Sequence, residues 1–353
     1  MKAHVIEFHR KEDEPTYEMI KSKIIDHAEI VVNFFDHCNM RCVFCPQDHE
    51  SKVGATREDI LAKVPIIVNY LRLNSKTDNF LLHVMGGELF QDEFIDEGFL
   101  GYYSEFIEQL EAQKPPHAIL NFNFITNLIF TRRKEMMDFI NKHSLDLAIS
   151  YDPSGRFNAR QFELFKENIE LFKDRIRMVS LGMTNVNIDK LVNHKDPYFD
   201  YLYDLYDMYF DHLLVGDEKS ASLMPTEKEM YQLYCLLLDK YPKVMNVQQF
   251  QDKSTKKNKM SCTRGNSLTV FADNSVPMGC SGSVVLKNNK TEDNWSTKII
   301  DNFLTDNMCL TCEYYQRCNL TCFVHNDYGK MVKDIEGCVY KRVFEYADSS
   351  NRA

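Results

Sequence analysis

The sequence predicts an α/β fold in which six parallel strands and their helices curl into a partial (β/α)6 barrel of the TIM type. Three observations carry this. Short apolar runs alternate with helical patterns through the first two thirds of the chain; helix follows strand throughout; and polar or glycine-containing turns close several of the runs. Alternation of this kind is the mark of βαβ units with right-handed crossovers. In such a barrel the functional groups lie just past the C-terminal ends of the strands.

About 28 polar and mixed residues (1–28) form an N-terminal extension before the first run. The apolar runs are Ile30 to Phe35, Phe80 to Met85, Ile119 to Thr126, Leu145 to Ser150, Ile176 to Met183 and Phe210 to Val215. Between them, Thr56 to Leu73 opens on a Thr56-x-x-Asp59 capping signal, with Pro65 predicting a kink or a late start. A helix from Tyr102 to Gln113 stops at Lys114-Pro115-Pro116. Thr131 to Lys142 and Asn158 to Lys173 carry apolar residues at helical spacing, and Pro197 to Phe210 holds a further helix. Thr226-x-x-Glu229 is a capping box for a helix to Lys240. The barrel is expected over 29–245. A Lys-, Ser- and Thr-rich stretch from Asp252 to Lys259 has linker composition, and a second module is expected within 246–353.

Several function classes are excluded by composition. The chain has 353 residues, 44% of them hydrophobic, which supports a core rather than disorder. A formal net charge of −10 argues against a nucleic-acid backbone as the main partner. No apolar stretch is long enough to span a membrane, and the charged N-terminus is unlike a signal peptide, so a cytoplasmic location is expected. Eleven cysteines in a reducing compartment point to metal or cluster ligation rather than disulfides.

Chemistry concentrates first at Cys38-x3-Cys42-x2-Cys45, directly after the first apolar run. Three thiolates on one loop can hold three irons of a cubane and leave the fourth iron open to an outside ligand. A structural zinc would need a fourth donor, available only from Asp36, His37 or His49, none at the usual offset. The second strand run ends in Met85-Gly86-Gly87-Glu88-Leu89, where glycines permit close backbone approach and a carboxylate can receive an ammonium. Later strand ends carry Thr126-Asn127-Leu128, Ser150-Tyr151-Asp152 and Gly182-Met183-Thr184-Asn185. Asp152 reads either as a site residue or as a helix cap.

The three cysteines with Phe44 before the third, placed after the first strand, resemble the signature of the radical S-adenosylmethionine (SAM) superfamily. That resemblance implies a partial barrel of radical SAM type, with a [4Fe–4S] cluster on Cys38, Cys42 and Cys45. It implies SAM contacts at Gly86, Gly87 and Glu88, at Asn127 and Ser150, and against the ring of Phe44. Leu89 stands where the superfamily usually has proline after the glutamate.

Seven further cysteines follow the linker: Cys262, Cys280, Cys309, Cys312, Cys318, Cys322 and Cys338. The tight run alone is compatible with a zinc knuckle. As a set, they resemble the SPASM extension found C-terminal to radical SAM barrels. By that resemblance Cys309, Cys312, Cys318 and Cys338 ligate an outer auxiliary [4Fe–4S] cluster, and Cys262, Cys280 and Cys322 an inner one, making three clusters with the first. The stretch Thr263 to Ser267 holds no cysteine for the inner cluster's fourth position. Ser267 to Met278 reads as a β-hairpin turning at Asp273-Asn274-Ser275.

The resemblance implies an oxidoreductase that cleaves SAM reductively and abstracts hydrogen from a substrate carbon. Side-chain modification of a peptide or small protein, as in peptide maturation, is the first expectation; flavodoxin or ferredoxin would donate electrons. Oxidation of a sugar alcohol or amino sugar, or a non-catalytic iron–sulfur or zinc module, are the alternatives. No residue emerges as the general base; His83 and His212 read as core histidines.

Overall fold

The computed structural model describes residues 28–45, 47–154, 156–213, 218–252, 267–276, 304–318 and 334–350. In chain order these form β1 (Ala28–Asn33), α1 (Arg57–Leu61), α2 (Lys63–Leu73), β2 (Asn79–Met85), α3 (Asp92–Asp96) and α4 (Phe99–Gln113). Next come β3 (Ile119–Thr126), α5 (Arg133–His143), β4 (Asp146–Ser150), α6 (Ala159–Phe172), β5 (Ile176–Met183), α7 (Asn185–Asn193), α8 (Pro197–Leu205) and β6 (Asp207–His212). The rest are α9 (Glu218–Ser222), α10 (Glu227–Lys240), α11 (Met245–Gln251), β7 (Ser267–Val270) and α12 (Val339–Ser350).

Among the described residues seven strands, all parallel where they pair, make one sheet in the order β6-β5-β4-β3-β2-β1-β7, an open half-barrel. Alternation along the strands decides its two faces. Ile30, Val32, Phe80, Leu82 and Val84 are fully buried and face the helices, while their neighbours, such as Val31 and His83, remain half-exposed. Helices cover the convex side, so the concave side is an open lumen rather than the filled interior of a closed barrel.

Helix boundaries follow local chemistry. The expected Thr56–Leu73 helix is split at Ala62, the residue after Leu61, whose carbonyl the Pro65 ring would clash with and could not bond. Thr56 caps α1 through Asp59 N, while Asn158 with Gln161 and Thr226 with Glu229 build complete capping boxes on α6 and α10. Asp152, a candidate cap, is not one; Asn158 takes that position.

Two expectations shift. The sixth strand begins at Asp207 instead of Phe210, because its pairing runs from Met178↔Asp207 to Met183↔His212 and pairing overrides the apolar run. The six strands become seven: β7, expected as one arm of a hairpin in the second module, pairs in parallel with β1 from Glu29↔Ser267 to Val32↔Val270. The sheet therefore extends past the boundary expected at 245/246. Asn274 does adopt the left-handed conformation at the turn, φ 63°.

Lys63 fastens that turn. It is 0% exposed, and its Nζ donates to Phe271 O (3.1 Å), Ala272 O (3.2 Å) and Asn274 Oδ1 (2.7 Å). Burial lowers its pKa to about 8. Among the described residues no helix is long and apolar enough to cross a membrane.

Candidate active site at the barrel mouth

Past β1 the chain continues alongside the end of β2. Phe34 N donates to Met85 O (2.8 Å), Gly87 N to Phe35 O (2.7 Å) and Glu88 N to His37 O (3.0 Å). The ladder thus runs on into the segment that delivers Cys38. Gly87 is required by this contact: a Cβ there would lie 2.1 Å from Asp36 O and 2.2 Å from His37 O. The glycines therefore admit a neighbouring backbone.

Cys38 N donates to His49 O (3.2 Å), which closes the loop, and Cys45 N turns back to Cys42 O (3.1 Å). All three cysteines are free; Cys38 and Cys42 are buried with Met40, and Cys45, Phe44, Ile129 and Phe157 pack against them. Burial pushes the Cys38 thiol up to about 12, with Glu88 and the other two thiols adding to the rise. Cys42 and Cys45 are also raised by burial, opposed at both by Arg156.

Three clustered sulfurs that resist ionisation in isolation fit a site completed by metal, since a bound cation deprotonates a coordinating thiol. Among the described residues no three His, Cys, Asp or Glu side chains are placed to hold a single ion. A cubane differs in placing each thiolate on a separate iron. Two of the three candidate fourth zinc donors are engaged elsewhere. Asp36 accepts from Asn33 Nδ2 (2.8 Å) and Gln47 Nε2 (3.3 Å), while His37 Nδ1 meets Gln91 Nε2 at 3.2 Å.

Glu88, 1% exposed, is committed inward. Its Oε1 accepts from Phe90 N (2.9 Å) and Thr126 Oγ1 (2.8 Å), and its Oε2 from Asn127 N (2.6 Å). Burial raises its pKa, with those three donors opposing. Its carboxylate thus ties β2 to β3.

Asn127 stitches the lip of β3 to the cysteine loop. Its Nδ2 donates to Asn39 Oδ1 (2.9 Å), and Asn39 Nδ2 donates to Ile129 O (2.8 Å). Leu128 is held at φ 57°, a costly conformation for leucine. Fully buried Asn168 of α6 supports it, donating to Leu128 O (2.8 Å) and Phe130 O (2.9 Å). Ser150, half-exposed, pairs with Ser180 at the lip of β4 and β5. Phe44 is half-exposed with the Arg156 guanidinium 5.3 Å from its ring centroid. His83 is half-exposed towards the lumen and its Nδ1 lies 3.2 Å from Asn123 Nδ2.

Two residues escaped sequence reading. Arg156 pairs with Asp152 beside the cysteine loop, and its only advance signal was the four-residue spacing from Asp152. Asp211 stands on the lumen side of β6 and accepts a hydrogen bond from Ser180 Oγ; it lay inside the expected run from Phe210 with no motif to mark it. It is open to solvent yet walled by protein. Burial, then Asp152, push its pKa from 3.8 to about 6, against the Ser180 bond and Arg156.

Because the folded value is raised, the stabilisation is complete below pH 3.8 and is lost as pH rises through about 6. Asp211→Asn should lack this decline. Urea unfolding at about pH 4 and about pH 7 checks it: an unchanged difference between variant and wild type would refute the assignment.

At the C-terminal end, Cys309, Cys312, Cys318 and Cys338 line one pocket with Tyr314 and Tyr315. A single 3-10 turn, Cys309–Thr311, carries the first cysteine and is capped by Cys312, and Cys338 directly precedes α12. Arg317 clamps this region by pairing with Asp348 (3.0 Å) and donating to Phe250 O (3.3 Å). Cys262, Cys280, Cys322 and the Thr263–Asn266 stretch lie outside the described residues.

No protein-family model and no curated protein matches the sequence significantly. Solved structures do. Native anSMEcpe with bound AdoMet and Cp18Cys peptide aligns with a TM-score of 0.63 at 16% identity, covering 92% of this chain and 97% of that one. The same protein with AdoMet and Kp18Cys peptide aligns with a TM-score of 0.63 at 15% identity, covering 93% of this chain and all of the other. At such identity the likeness is one of fold. The chain has an open α/β half-barrel fold, in the arrangement seen in anSMEcpe.

Proposed function

We propose that this protein is a radical SAM enzyme that modifies a side chain of a peptide or small protein. The observation that carries the reading is the gathering of buried Cys38 and Cys42 and half-buried Cys45 in one cluster next to the Gly86–Glu88 turn, at the mouth of a half-open barrel. Those thiolates would hold a [4Fe–4S] cluster. The backbone of Gly86 and Gly87, with Asn127, Ser150 and Phe44, would receive SAM. When bound, the cluster and SAM supply a 5′-deoxyadenosyl radical able to take hydrogen from an unactivated carbon.

The chain's own contribution is placement. Glu88, Asn127 and Asn39 fix the cysteine loop to the lips of β2 and β3, and the lumen gives a substrate walled access to the site. A peptide substrate is favoured because anSMEcpe, which shares the fold, binds peptides beside AdoMet. Cys309, Cys312, Cys318 and Cys338 would hold an auxiliary cluster, and Cys262, Cys280 and Cys322 another, to accept the electron that a net oxidation releases. An external flavodoxin or ferredoxin would supply the reducing electron, in a reducing cytoplasm.

Anaerobic reconstitution with iron and sulfide, then dithionite and SAM, should yield 5′-deoxyadenosine. Mass spectrometry of peptides encoded beside the gene should show loss of two hydrogens or a crosslink. Absence of 5′-deoxyadenosine from iron-replete protein would sink the proposal.

A further inference from the structure

Arg156 lies in the loop between β4 and α6, four residues after Asp152. Its side chain is 12% exposed, that of Asp152 fully buried, and its Nε donates to Asp152 Oδ2. The guanidinium also lies 5.3 Å from the centroid of Phe44, which packs against the buried Cys38, Met40 and Cys42. A cation is thereby set between the lip of β4 and the three-cysteine loop.

The pair does not cancel at the loop. Asp152 Oδ1 is engaged on the far side by Gly182 N (2.8 Å) and Asn187 Nδ2 (2.7 Å), groups of β5 and α7. The Arg156 guanidinium instead faces Phe44 of the three-cysteine loop. The ion pair is therefore an oriented dipole with its positive end towards the sulfurs.

We propose that the Arg156–Asp152 pair sets the electrostatic field at the three-cysteine loop, with Arg156 a positioning residue that eases reduction of an iron–sulfur cluster held there. Reduction adds one electron to the cluster. A fixed cation in a poorly polarisable site stabilises the more negative reduced form more than the oxidised one. The inference rests on the function proposed above and concerns residues outside the cysteine motif.

The test is an EPR redox titration of reconstituted full-length wild type, Arg156→Gln, Arg156→Lys and Asp152→Asn. The relevant signal is the one that changes when SAM is added to a parallel sample. Arg156→Gln should lower its midpoint, Arg156→Lys should leave it near wild type, and Asp152→Asn should raise it by unmasking the cation. Loosening of the fold, followed by unfolding curves of each variant, would not give opposite signs. Midpoints of Arg156→Gln and Asp152→Asn that move together, or that both match wild type, overturn the proposal alone. A wild type with no SAM-responsive signal overturns the functional reading and this inference with it.

Discussion

Gly87→Ala is expected to lose iron from the three-cysteine loop and to lower stability by about 3 kcal/mol. The added Cβ would lie 2.1 Å from Asp36 O and 2.2 Å from His37 O, both backbone atoms that no rotamer change can move aside. Relief requires displacing the strand-end segment, and Cys38 is the next residue along it. The loss should therefore be local as well as global. Gly101→Ala is the control: nothing lies within 4 Å of its Cβ, and inside α4 alanine is a better helix former by up to about 1 kcal/mol. Iron content per chain and urea unfolding of both variants decide the matter; a Gly87→Ala protein with wild-type iron and midpoint would refute it.

Glu88→Ala is the second large effect, at about 4 kcal/mol. It strips the acceptor from Phe90 N, Thr126 Oγ1 and Asn127 N at once, all within a site where water cannot replace it. Glu88→Gln separates charge from shape. Both Glu88 oxygens face donors, so the new amide NH2 must meet one of them, and a smaller loss of about 2 kcal/mol is expected. Because Asn127 holds Asn39, which precedes Met40 in the loop, Glu88→Ala should also expose Cys38 and Cys42 to alkylation in the metal-free protein. Equal alkylation rates in variant and wild type would show that Glu88 does not anchor the loop.

Much of the barrel was legible because strand burial leaves a periodic trace. Five strands, β1 to β5, fall on their apolar runs, and the caps at Thr56, Asn158 and Thr226 were readable from side chains that satisfy orphan amides. Asp211 and β7 were not readable. A four-residue strand whose partner lies more than 230 positions earlier carries too little pattern to announce a parallel pairing. The register that puts Asp211 in the lumen belongs to β5 as much as to β6.

The sequence by itself determined the α/β class, the strand order up to the fifth unit and the two groups of cysteines, because hydrophobic period and thiol spacing are local properties. Only the tertiary structure decided what surrounds those thiols. It turned Glu88 inward, drew Asn127 onto the cysteine loop, placed Arg156 against Phe44 and carried β7 to the edge of β1. Each of these joins residues far apart in the chain, and long-range contacts are chosen by the burial and hydrogen bonding of the whole fold.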